Sequence, residues 1–308
     1  MIERAWIPAL GLLVAVSCYD KGAGVHLLRT RAASGMGSVA QGGGGPASRP
    51  ASQPASRPAP PASKAPPTQK PGSKPPEKVQ ASPKGRIPST RSLEPVLSKI
   101  LHGARVDYDE VARHRPVLDA YLAKVAKADL GKASLHEKLA FYINAYNVSV
   151  LTQVLDRISG KAPKGRDYKG VLAVKGFFDN KSVRASGEFL SLNELEAKGR
   201  ALGDPRIHFA VNCASISCPA LLDRPWKAST LDKDLTDATR RHFATKEGLV
   251  LEDGIVKVTQ LLNWYSKDFG GKEGARRFAL KYAPALARQA LARGIDGFLT
   301  YNWNLNKN

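Results

Sequence analysis

Leu135–Ile158 reads LHEKLAFYINAYNVSVLTQVLDRI, and the fold turns on how this stretch is read. Apolar residues recur at helical spacing and, through the middle, fall on nearly every face. A helix of that kind is covered by other elements rather than laid along a surface. The stretch therefore predicts a central helix inside a helix-rich domain. Glu137, Asn144 and Asn147 interrupt the apolar run. Buried amides need partners, so the two asparagines are expected to satisfy loop backbone. Glu137, on the first turn, is the residue of the three best placed to face a site.

Outward from that helix the patterns alternate between helix and short strand. Before it, Leu93, Val96, Leu97, Ile100 and Leu101 form one helical stripe. Val117, Leu118, Tyr121, Leu122 and Val125 form another, behind Pro116 at a helix start. After it, Leu172–Val174 and Val183 suit short strands. Ser191-Leu192-Asn193-Glu194 is a capping box, opening a helix that carries Glu196 and runs to about Ala201. Leu231–Phe243 is amphipathic, and Leu249–Val258 reads as a hairpin turning at Asp253-Gly254. An aromatic-rich segment follows at Leu261–Tyr265, then two helices near 273–282 and 284–293. The stretch 297–306, GFLTYNWNLN, suggests a strand with an aromatic, asparagine-rich tail. No regular βαβ alternation appears, so residues 89–308 read as one α+β domain with a small, mainly antiparallel sheet.

The first third is different material. Residues 5–17 are an apolar run too short to span a bilayer. With Arg4 before it, residues 1–18 read as a secretory signal segment. Ala15-Val16-Ser17-Cys18 is similar to a bacterial lipoprotein box, which would make Cys18 a lipidation site and hold the chain at the cell envelope. Residues 19–88 are a linker, rich first in Gly and Ala and then in a repeated Pro-Ala-Ser theme that cannot build a core. This segment reads as a disordered tether. Twelve basic and three acidic residues precede Ser89, so the linker supplies a good part of the formal net charge of +20. Such charge favours anionic surfaces. No zinc finger, RNA-recognition signature or basic run with interleaved aromatics appears, so no specific nucleic-acid partner is expected.

The reactive residues gather in Asp204–Leu222, DPRIHFAVNCASISCPALL. Asp204-Pro205 is a turn signal. Ile207, Phe209 and Val211 then alternate with His208, Ala210 and Asn212, the pattern of a half-buried strand. Cys213, Ser215, Ser217, Cys218 and Pro219 suit a tight turn entering a helix, where backbone N–H groups could stabilise a thiolate. A thiolate needs a neighbouring imidazole or a helix N-terminus to form near neutral pH. His208 is the local imidazole, but five residues of extended chain span about 16 Å. A sharp bend after Asn212 is therefore required. In an exported protein Cys213 and Cys218 could instead form a disulfide pinning the turn. His208, Cys213 and Cys218 match no standard zinc spacing, and neither metal nor other cofactor is expected.

Three blocks together resemble an uncharacterised family, number 547 in the domain-of-unknown-function series. They are Glu137–Asn147, Asp204–Ala210 with Cys213-Ala214-Ser215 and Cys218-Pro219, and Tyr301–Asn306. Leu190–Glu196 looks like a further block, and the likeness extends over roughly residues 93–306. The resemblance implies a papain-like cysteine-peptidase fold and a triad of Cys213, His208 and Glu137. Asn144, Ser215 and Cys218 are expected to support such a site, with Glu196 as the substitute for Glu137 in orienting the imidazole. Many members carry His after the acidic residue of the Leu190–Glu196 block, where Ala197 stands here. The implied function is a cysteine-dependent hydrolase acting on a peptide or amide at the cell envelope. The alternative is a non-catalytic envelope module that binds peptide or glycan, with Cys213–Cys218 as a structural bridge.

Overall fold

The computed structural model describes residues 87–159 and 169–308. The expected signal segment, Cys18 and all but the last two residues of the linker lie outside the described residues.

The first described elements form a small helical layer. Helix α1 (Glu94–Ile100) leads through the two-residue hairpin β1 (Leu101–His102) and β2 (Arg105–Val106) into α2 (Tyr108–Arg113). Asp107 starts α2 by accepting the backbone N–H groups of Asp109 and Glu110. Helix α3 (Arg115–Ala126) follows with Pro116 in its first turn. The central helix α4 (Leu135–Val154) is buried along nearly its whole length from Leu139 onward, and then widens into a π turn at Leu155–Ser159. Helix α4 packs against α3 on one side and α5 (Leu192–Arg200) on another. Between them lies the short hairpin β3 (Val183–Ala185) and β4 (Glu188–Leu190). The expected strand at Leu172–Val174 is instead a 3-10 turn at Val171–Ala173.

A second apolar centre forms around Phe209, Phe243, Val256, Val258, Leu262 and Ala279. It joins α6 (Leu231–Phe243), the hairpin β5 (Leu249–Glu252) and β6 (Ile255–Val258), the short α7 (Leu261–Trp264), α8 (Gly271–Tyr282) and α9 (Ala285–Arg293). The hairpin turns on Asp253 and Gly254 with φ of 50° and 77°, the left-handed pair that matches the twist of the strands. Strand β7 (Gly297–Phe298) adds to β6 in parallel. The fold is therefore helix-rich α+β with small, mostly antiparallel sheets, as the sequence patterns require.

Two features place the site. The expected strand over Ile207–Asn212 is a 3-10 turn at Pro205–Phe209 followed by irregular chain. Asp204 caps that turn by accepting the Arg206 N–H, and Arg206 ties it to α6 through Thr236 at 2.9 Å. The alternation misleads because both sets of residues are buried, His208, Ala210 and Asn212 as much as Ile207 and Phe209. Gly199 lets this segment lie close on α5, since a Cβ there would meet Ile207 at 2.6 Å. The second feature is the stretch Tyr301–Asn308, which crosses back to bond Val106, Lys169, Ala214, Ile216 and Ser217.

Candidate functional site

Residues Ala210–Pro219 form a mostly buried loop that meets the returning stretch through an isolated bridge at Ser215–Leu305 and its neighbouring bonds, so the backbone groups outside that bridge need other partners. Asparagine side chains supply them. Asn147 of α4 donates to the Ala210 carbonyl at 2.9 Å and accepts the Asn212 N–H at 2.9 Å. Asn212 accepts the Ala214 N–H at 2.8 Å and donates to the Pro219 carbonyl at 2.8 Å. Asn306, from the returning stretch, donates to Asn212 and bonds Ala214 through its own backbone. Asn144 holds the Trp226 backbone by both its amide atoms. Both central-helix asparagines thus satisfy loop backbone, as the buried amides demanded.

The loop presents sulfur. Cys213 and Cys218 are joined by a disulfide, with their Cα atoms 6.2 Å apart. No helix starts at Cys213, contrary to expectation; the next helix, α6, begins at Leu231. The Cys213 N–H points instead at the Cys218 sulfur, 2.9 Å away. Between the cysteines Ala214 has a φ of 62°, a left-handed conformation that a non-glycine residue adopts only when its surroundings impose it. Ser215 Oγ lies 2.8 Å from Cys213 Sγ. The Tyr301 hydroxyl lies 3.3 Å from Cys213 Sγ and 3.2 Å from Cys218 Sγ.

These sulfurs open on a narrow cleft of about 20 Å³ that also meets Glu196, His208, Trp264, Tyr265, Tyr301 and Trp303. The 3-10 turn puts His208 in the wall, 2 % exposed, stacked on Tyr265 with ring centroids 4.0 Å apart. Its Nε2 lies 2.8 Å from an Asp268 carboxylate oxygen. Arg200, on α5, also grips Asp268, by Nε at 2.7 Å and Nη2 at 3.2 Å. Burial opposes ionisation of Asp268, but the hydrogen bonds and charge of His208 and Arg200 outweigh it and hold the carboxyl well below the usual range.

The structure thus brings His208, Cys213, Cys218 and Glu196 to one cleft and places Ser215 against the sulfur. Glu137 is elsewhere. It is exposed at the start of α4, where its carboxylate accepts the Ser134 N–H at 2.8 Å in a capping box. It borders a separate shallow hollow with Ser134, His136 and Ser229. The carboxylate on His208 is that of Asp268, a residue that sequence reasoning missed. Asp268 carries no local signal beyond following the aromatic segment at 261–265. No group of three or more His, Cys, Asp and Glu side chains able to hold a metal occurs among the described residues. No helix among them is long and apolar enough to cross a membrane.

Residues 130–243 match the model of a family described as "Protein of unknown function, DUF547". The span contains the Glu137–Asn147, Leu190–Glu196 and Asp204–Pro219 blocks but neither Asp268 nor Tyr301, and across it the chain resembles that family. No curated protein and no solved structure matches the chain.

Proposed function

We propose that the cleft is a cysteine-dependent hydrolase site for a peptide or amide. Cys213 is its nucleophile, His208 its base, and Asp268 the group that orients the imidazole. The observation that carries the assignment is the half-buried His208–Asp268 pair at 2.8 Å, whose imidazole opens on the cleft that holds Cys213. A base fixed by a third group through one ring nitrogen, with the other turned to a nucleophile, is the logic of catalytic triads. In the dithiol state His208 takes the Cys213 proton and the thiolate attacks the substrate carbonyl carbon. The imidazolium then protonates the leaving amine, and water, deprotonated by the same histidine, releases the acid and restores the thiol. Asp268 stays ionised throughout, stabilising the imidazolium. Export, and anchoring through a lipid on Cys18, would place this chemistry at a bacterial cell envelope.

A binding module is the second reading, favoured by the Cys213–Cys218 bond itself. Trp264, Tyr301 and Trp303, clustered at the mouth, offer aromatic faces to a peptide or glycan. Labelling of the reduced, folded protein with an electrophilic amide probe separates the two. Cys213→Ala should abolish labelling at this position, and His208→Ala and Asp268→Asn should each slow it by about tenfold or more. Glu137→Ala should leave the rate unchanged. Labelling that ignores His208 would leave only the binding module.

A further inference from the structure

We propose that the Cys213–Cys218 disulfide is a reversible redox couple, opened by a dithiol through attack on Cys218, and that this opening arms the site. The arming rests on the hydrolase assignment; the exchange itself rests on what surrounds the two sulfurs.

The cysteines are not equivalent. Cys213 is 8 % exposed at the floor of the cleft, whereas Cys218 is half-buried. Cys218 also borders a second hollow, with Ile216, Arg241, His242 and Thr245. An incoming thiolate therefore reaches Cys218 Sγ more readily than Cys213 Sγ, and access is one of the factors that select which sulfur is attacked. The departing sulfur is then Cys213, and donors await it. Ser215 Oγ is 2.8 Å away and the Tyr301 hydroxyl 3.3 Å away. Hydrogen bonds to a developing thiolate lower its basicity and make it a better leaving group.

The second half of the exchange has its own donors. Once the first thiol of the reductant is bound to Cys218, its second thiolate attacks the reductant sulfur of that mixed disulfide. Cys218 then leaves as thiolate, with the Cys213 N–H placed 2.9 Å from its position in the disulfide form. The Tyr301 hydroxyl is 3.2 Å from the same sulfur. One phenolic proton thus lies within reach of both sulfurs and can serve whichever carries charge. The balance closes. Two electrons pass from the dithiol to the protein, the S–S bond between Cys213 and Cys218 breaks, and a new S–S bond forms in the departing reductant. The two protons of the dithiol are accounted for by the protein thiols and solvent. A disulfide that served only to pin the loop would have little use for these donors, because the loop is already held by Asn147, Asn212 and Asn306.

The experiment is a redox titration of the full chain in reduced and oxidised dithiothreitol, quenched with N-ethylmaleimide and read by mass, with circular dichroism in parallel. Two maleimides per chain should appear at this pair while the fold persists, and removal of reductant should reverse the change. Cys213→Ala, offered glutathione disulfide, should trap glutathione on Cys218, and Tyr301→Phe should slow opening of the otherwise wild-type chain about tenfold. Urea unfolding of Tyr301→Phe distinguishes a slowed exchange from a loosened fold. A disulfide that opens only as the protein unfolds, or a Tyr301→Phe rate equal to wild type, would overturn the exchange proposal. Reversible opening with a reduced Cys213 indifferent to His208 would instead sink the hydrolase assignment and leave the redox couple standing.

Discussion

In the hairpin of β5 and β6, four register pairs run from Leu249–Val258 to Glu252–Ile255, so every ladder bond closes within ten residues. In the loop Ala210–Pro219 Asn212 closes two bonds within the loop, but the other amide partners come from 63, 65 and 94 residues away, in Asn147 and Asn306. Both regions carry left-handed residues, Asp253 and Gly254 in the first and Ala214 in the second. The hairpin's conformation follows from a local turn signal. The loop's conformation is held by Asn212 within it and by Asn147 and Asn306 from other parts of the chain. Local bonding makes a rigid element that any edge of the fold could carry. Borrowed bonding makes a shape that exists only when the whole domain is assembled, and the reactive residues are found there.

The sharpest way to break that contrast is Asn147→Ala. It strands the buried Ala210 carbonyl and the Asn212 N–H, at a combined cost of about 4 kcal/mol. Urea denaturation should show the loss, and the hairpin amides should stay protected from hydrogen exchange until the domain unfolds as a whole. A cost under about 1 kcal/mol would mean the loop does not depend on its borrowed partners.

Acid should act on the ground between the two regions. His242 packs on Phe209, with ring centroids 5.6 Å apart, and its Nε2 is buried without a partner. Burial lowers its pKa from 6.5 to about 4. Below pH 6.5 the unfolded chain therefore binds a proton that the folded chain refuses. Stability should be unaffected by this group above pH 6.5 and fall progressively toward pH 4, by up to about 3 kcal/mol. His242→Leu should flatten that slope in urea titrations across the same range. Asp268 acts lower, since its depressed carboxyl contributes stability that is lost only as pH falls below the ordinary carboxylate range.

The smallest effect should come from the hairpin itself. Gly254→Ala forces a side chain onto a φ of 77° and should cost about 1 kcal/mol. It should leave the probe reactivity of reduced Cys213 unchanged. A change in that reactivity would show that the two regions are coupled after all.

Much of the scaffold was legible because its signals are local. The α4 stripe, the Ser191–Glu194 capping box and the Asp253-Gly254 turn each specify structure from neighbours in sequence. The site was legible in composition but not in geometry. Alternation over Ile207–Asn212 suggested a strand, yet it only reflected a segment buried on all sides, and no partner strand exists to turn that pattern into a ladder. Glu137 sits in a family block, but its carboxylate is taken up by the Ser134 backbone. Asp268 lies 60 residues from His208, and no spacing rule connects them. Tyr301 stands in a recognisable block, but its reach to both sulfurs depends on a chain crossing that no periodicity encodes.

That crossing sets an order of events. The Ser217 hydroxyl waits for the Asn302 N–H, 85 residues further along the chain. At typical synthesis rates this is an interval of roughly 4–17 s. Through that interval Cys213 and Cys218 are already made while the tyrosine that will bridge them is not. The chemical history of the pair therefore begins before its architecture does, and whatever thiols or oxidants surround the nascent chain meet it first.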